Sequence, residues 1–129
     1  MNGRFLLDTN ILIAIFAGDP NVRQRLTQAA EIFVPVVALG ELYYGAGKST
    51  GSDANVKRID EFATSCAVLE CDLDTARHYG LIKNHLRAKG RPIPENDIWI
   101  AAVARQNGMT LVSRDTHFNE VDALTLEVW

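Results

Sequence analysis

The stretch Pro94–Asp115, PENDIWIAAVARQNGMTLVSRD, decides the fold. Proline suits the first turn of a helix, and the apolar-rich run after Pro94 continues to Asn107. Gly108 then stops it, because glycine accepts the left-handed backbone that ends helices. Met109–Ser113 is a short apolar strand, closed by the polar residues Arg114 and Asp115. A helix that feeds a buried strand is half of a βαβ unit, and the pattern repeats outward from here. Further strands are expected at Arg4–Leu7, Glu31–Val34, Ala67–Glu70 and Leu124–Val128. Helices are expected at Thr9–Ala17, Pro20–Ala30, Val36–Ala46, Asp53–Ser65 and Asp72–Lys89, with Gly45–Ser52 as an exposed connection. Alternating strands and helices predict an α/β fold around a mostly parallel sheet. In such sheets ligands bind beyond the carboxyl ends of the strands, where the strand order reverses.

The chain has 129 residues, which suits one domain over 1–129. Hydrophobic residues make up 47% and charged residues 22%, the balance of a globular protein able to bury a core without disulfides or structural metal. Thirteen Lys and Arg against sixteen Asp and Glu give a net charge of -3. The chain is no polycation, so contact with nucleic acid requires a local basic patch or a bound cation. No apolar run approaches the roughly 18 residues of a membrane span, and nothing before Asp8 reads as a secretory leader. Cys66 and Cys71 flank a strand without zinc-site spacing, so a reduced, cytoplasmic protein is expected. Gly45–Ser52 (GAGKSTGS) contains Gly-Lys-Ser-Thr, but it lacks the first glycine of a phosphate loop at the required spacing and follows a helix.

The informative anomaly is where certain acids sit. Asp8 is the only charged residue between Arg4 and Asp19, Glu41 the only one between Glu31 and Lys48, and Asp97 the only one between Glu95 and Arg105. An ionised carboxylate in an apolar stretch costs several kcal/mol unless it is paired or binds a metal. On a helix, Glu41 has Val37, Ala38, Tyr44 and Gly45 as its neighbours, a mostly apolar face. Asp8 and Asp115 each follow a strand. Alone, Asp8 could be a helix cap, Asp97 a first-turn acid and Asp115 a turn residue. Together, the four can converge at one sheet edge, where mutual repulsion calls for a neutralising cation. All-oxygen ligands favour Mg²⁺ or Mn²⁺ over zinc. Thr9, Asn10, Asn96 and Ser113 stand beside the acids and could orient them, or serve only as caps and turns.

An acidic pocket repels a polyanion, so a positive surface is needed nearby. Thr75–Pro94 carries Arg77, Lys83, Arg87, Lys89 and Arg91 and no acid. Lys83 and Arg87 share a helix face and are candidate phosphate contacts, as are Lys89, Arg91 and Arg114. The alternative is a solvated helix end, with Arg114 balancing the acids. His78, His85 and His117 show no metal-site spacing and are expected to be structural or surface residues. Trp99, Tyr43 and Tyr44 are expected in the core or at a dimer interface rather than stacked on bases.

The combination resembles the PIN-domain nucleases, and within them the VapC-type toxins of toxin–antitoxin pairs. The resemblance rests on Leu7-Asp8-Thr9-Asn10, on VALGELYYG (Val37–Gly45), on PENDIWIAA (Pro94–Ala102), and on Leu111–Asp115 with Phe118 following. It covers nearly the whole chain. It implies a three-layer α/β/α fold, and a Mg²⁺- or Mn²⁺-dependent endoribonuclease with tRNA as a candidate target. Asp8, Glu41, Asp97 and Asp115 carry over as the acidic pocket; of these, Asp8 and Asp97 are expected as direct ligands, with Glu41 and Asp115 completing the shell or binding a second ion. A VapB-like antitoxin that covers the site and a homodimer are also implied. Asn119 stands where some relatives carry a further acid, which leaves one metal or two open. The competing reading is a non-enzymatic module, either an inactive scaffold of this fold or a receiver-like domain phosphorylated on Asp8 or Asp115. A phosphatase of the haloacid-dehalogenase type is disfavoured because Asn10 replaces its second aspartate.

Overall fold

The computed structural model describes residues 3–129. Its centre is a five-stranded, wholly parallel sheet in the order β3-β2-β1-β4-β5, with β1 Arg4–Leu7, β2 Glu31–Pro35, β3 Ala67–Leu69, β4 Thr110–Val112 and β5 Leu126–Glu127. Helices α1 Thr9–Phe16, α2 Pro20–Gln28, α3 Val36–Lys48, α4 Ser52–Thr64, α5 Leu73–Ala88 and α6 Glu95–Asn107 flank it in an α/β/α arrangement. The expected α/β class is therefore present. Among the described residues, no helix is long and apolar enough to cross a membrane.

Strand β1 is central and apolar on both sides, with Leu6 and Leu7 fully buried. The chain first builds outward to β2 and β3, then crosses back to place β4 on the other side of β1. The strand order thus reverses between β1 and β4, the point where open α/β sheets form their ligand crevice. Register pairs Phe5 with Thr110, Leu6 with Leu111 and Leu7 with Val112. One step further, the Asp8 amide donates to the Val112 carbonyl at 2.9 Å, so Asp8 emerges level with Ser113.

Helix α6 is buried almost all round: Ile98 and every residue from Ile100 to Ala104 lie in the core. A helix of this kind is fixed by packing on several sides. Glu95 and Asp97 suit the positive end of its dipole, and Gly108 closes it at φ 62° as expected. Helix α5 starts with a capping box in which Asp72 and Thr75 satisfy each other's backbone amides, and Gln106 of α6 donates to Asp72 at 2.7 Å. This ties the start of α5 to the end of α6. Tyr79 of α5 stacks on Trp99 of α6, with ring centroids 4.1 Å apart.

Three expectations are corrected. Gly45–Ser52 is not one open connection: α3 runs through Gly45 to Lys48, and only residues 49–51 separate it from α4. The three glycines of α3 have no Cβ to pack, but Ala38, Leu39, Leu42 and Ala46 hold the helix to the core. The last strand is Leu126–Glu127, shorter than Leu124–Val128. A 3₁₀ turn at Thr116–Glu120 was not foreseen; it is anchored by the fully buried Phe118.

Candidate functional site

Each acid is delivered by a different element. Asp8 sits between β1 and α1 in extended backbone, at φ -70° and ψ 163°. It occupies the N-cap position, but its side chain makes no capping bond. The carboxylate is instead 1% exposed and takes a 2.7 Å hydrogen bond from Ser113 Oγ on its Oδ2. Its Oδ1 is buried with no partner. Glu41, half-buried on α3, accepts a 2.7 Å hydrogen bond from Thr9 Oγ1. Asp97 is 9% exposed in the first turn of α6, and Asp115 is exposed just after β4.

These four acids share one cleft of about 490 Å³, together with Thr9, Asn10, Asn96, His117 and Glu95. Asn10 organises the β4 end. Its Nδ2 donates to Asp115 Oδ2 at 3.2 Å, and its Oδ1 accepts from the Arg114 amide at 3.2 Å. Ser113 Oγ also accepts from the Asp115 amide at 3.0 Å. Thr9, Asn10 and Ser113 therefore each touch an acid, whereas Asn96 lines the cleft with no hydrogen bond to one among the described residues.

The electrostatics follow from burial. Loss of water around Asp8 raises its pKa to about 6; the hydrogen bond from Ser113 and the neighbouring Thr9 amide oppose the shift, and the charges of Asp97 and Asp115 add to it. Burial likewise raises Asp97, against the lowering effect of His117, with Glu41 and Asp115 pushing upward. Desolvation thus outweighs the mutual repulsion named from the sequence. Replacing Ser113 with alanine removes the sole side-chain donor to Asp8. The fold is expected to lose about 1–3 kcal/mol, checked by thermal unfolding, because a buried acceptor is left unpaired.

The imidazole beside the acids is that of His117, which the sequence did not mark. Its Nε2 lies 2.6 Å from Asp97 Oδ2 and 4.0 Å from Asp115 Oδ2. Its only sequence signal was its position two residues after Asp115. Asp97, Asp115 and His117 each offer one ligating atom, and these lie within 4.8 Å of one another; Asp8 and Glu41 flank this trio in the same cleft. An oxygen-rich donor set with an unpartnered, buried carboxylate oxygen fits a divalent cation.

The basic residues are placed as follows. Lys83 pairs with Glu95 at 2.9 Å, and both line a second cleft with Arg87 that adjoins the first at Glu95. Lys89 lies 3.7 Å from Glu120 and 3.6 Å from Asp122. Arg87 and Arg91 are exposed with no ion pair among the described residues. Arg114 is engaged by Asp19 at 2.9 Å and by the Trp129 carbonyl at 2.9 Å, so its guanidinium does not balance the clustered acids. On the other side of the acids, Thr9, Ile13 and Glu41 are shared with an apolar groove between α1, α3 and α4 that includes Phe16, Leu42 and Ile59.

Comparison with known proteins places this arrangement. Ribonuclease VapC2 of Haemophilus influenzae is 39% identical over 98% of this chain and 98% of its own. The tRNA(fMet)-specific endonuclease VapC of Shigella flexneri is 36% identical, again over 98% of each. The DNA-bound VapBC structure from Salmonella typhimurium superposes with a TM-score of 0.91 at 30% identity, over 100% of this chain and 99% of that one. The PIN domain family matches residues 5–124, a span that contains all four acids, the three side chains that orient them and His117. With that span matched and its relatives alike along their full lengths, the chain belongs to the PIN-domain family and, within it, to the VapC proteins.

Proposed function

We propose that this protein is a Mg²⁺- or Mn²⁺-dependent endoribonuclease, the toxin of a VapBC-type pair, with tRNA as its target class. The observation that carries the reading is the cleft at the β1–β4 reversal, lined together by Asp8, Glu41, Asp97 and Asp115. Relatives along the whole chain are named ribonucleases, and two are named for tRNA(fMet).

Asp97, Asp115 and Asp8 are the residues that would hold the cation, with Glu41 completing the set. When bound, a divalent cation polarises a phosphodiester oxygen and makes water more acidic. The side chains around it do the rest. Ser113 fixes Asp8, Thr9 fixes Glu41 and Asn10 fixes Asp115, so the oxygens are set before substrate arrives. Any of the four acids not bound to the cation would take a proton from the attacking water. Lys83, Arg87, Lys89 and Arg91 on α5 and the turn after it would carry the flanking phosphates, and Arg114 would act by holding the β4 end in place.

The partner is a VapB-like antitoxin that covers the cleft and the apolar groove beside it; the solved relatives include VapBC complexes. A homodimer in the cytoplasm completes the reading. The receiver-like alternative is not retained, because family membership accounts for the same acids.

The test uses the purified chain freed of any partner. Incubated with an RNA mixture, it is expected to cleave with Mg²⁺ or Mn²⁺ and to stop with EDTA, as seen on denaturing gels. Cleavage that continues undiminished in EDTA would sink the proposal.

A further inference from the structure

We propose that His117 is a direct nitrogen ligand of the cation held in this cleft, and that it biases the site toward Mn²⁺ over Mg²⁺. The inference rests on the metal-dependent reading above and adds a residue and a selectivity to it.

Three observations carry it. His117 Nε2 is 2.6 Å from Asp97 Oδ2 and 4.0 Å from Asp115 Oδ2, and the three donor atoms fall within 4.8 Å of one another. Neighbouring donors of a hexacoordinate Mg²⁺ stand about 3 Å apart and opposite donors about 4.2 Å, so the trio comes within reach of one ion once the hydrogen bond between His117 and Asp97 opens by a few tenths of an ångström. The ring is also built in. Phe118, the next residue, is fully buried and lies 5.0 Å from it centroid to centroid, which fixes the turn that presents the imidazole. Finally, Asp8 lines the same cleft, and its buried Oδ1 accepts no hydrogen bond from the described residues, which leaves it free to meet a cation.

The chemistry sets the selectivity. Mg²⁺ takes oxygen ligands, holds its waters and gains little from an imidazole. Mn²⁺ binds nitrogen least tightly among the first-row transition ions, yet it is softer and more loosely hydrated than Mg²⁺, so one imidazole among carboxylates favours Mn²⁺ over Mg²⁺. A histidine that only paired with Asp97 would affect both ions alike.

The experiment loads the full chain, free of partner, with manganese(II) chloride alone and records electron spin-echo modulation. Nitrogen-14 modulation from a directly bound imidazole is expected in the wild type and should vanish in His117→Gln. The other histidines, His78 and His85, lie on α5 and do not line this cleft, so they give no such signal. Calorimetric titration should show Mn²⁺ affinity falling by about tenfold or more in His117→Gln, with Mg²⁺ affinity nearly unchanged. Bound Mn²⁺ without nitrogen modulation, modulation that persists in His117→Gln, or equal losses for both ions would overturn this inference and leave the nuclease reading standing. Failure of the wild type to bind Mn²⁺ at all would overturn both.

Discussion

Asp8→Asn is expected to cut RNA cleavage by about a thousandfold and, at the same time, to make the metal-free protein more stable. The first effect follows from losing a carboxylate aimed into the cleft. The second follows from burial. Asp8 titrates near 3.8 in an unfolded chain and near 6 in the fold. Between these values the native state holds more protons than the unfolded state. Stability therefore falls as pH rises from about 4 to about 6 and stays reduced above that. At pH 7 the ionised group costs the fold about 3 kcal/mol. Asparagine removes the charge but leaves part of its own amide unpaired, so a net gain of about 1–2 kcal/mol is expected. Thermal unfolding in EDTA at pH 7 should show a midpoint higher by roughly 3–8 °C, and the difference should shrink at pH 4. Adding Mn²⁺ should raise the wild-type midpoint by mass action and move the variant far less. A variant less stable than wild type at pH 7, or one that still cleaves, would contradict this assignment.

Asp97→Asn is expected to be as damaging to cleavage, again by about a thousandfold, but to give a smaller gain in stability. The reason is His117. Burial raises Asp97, yet the imidazole 2.6 Å away offsets part of that cost, and the substitution discards the pair. Midpoints in EDTA should therefore rank Asp8→Asn above Asp97→Asn. Because both acids would serve one cation, the double variant should cleave no more slowly than the slower single variant. Additive losses across the two would argue for separate roles.

Most of the fold was legible because its signals are local. Pro94 and Gly108 bracket α6, Asp72 opens α5, and short apolar runs mark the strands. The exceptions have physical causes. Glycine-rich Gly45–Lys48 reads as a loop by propensity, but Leu42 and Ala46 bury one side of α3 and hold the helix through it. Thr116–Glu120 is too short for periodicity to reveal; a single residue, Phe118, pins it. The four acids could be picked out because each interrupts an apolar stretch or ends a strand. What could not be read was their company. Ser113 and Asp8 are 105 residues apart in sequence, and Thr9 and Glu41 are 32 apart, so only the register of β1 against β4 and the crossing of α1 and α3 reveal those pairs. His117 was missed for a related reason: it stands in polar sequence, where a histidine attracts no notice. Arg114 misled in the opposite sense, since adjacency to Asp115 in sequence is not adjacency of side chains; its partners are Asp19 and Trp129.

The central position of β1, with β4 as its neighbour, also has a consequence for biosynthesis. Asp8 leaves the ribosome 105 residues ahead of Ser113, the serine that bonds it, and ahead of the strand Thr110–Val112 that seats beside it. A nascent chain lacking that strand has three of the four acids and no assembled cleft. Closure of so long a loop is also among the slower steps of folding. Translation order thus keeps a potentially self-poisoning enzyme inert until Thr110–Ser113 has been made.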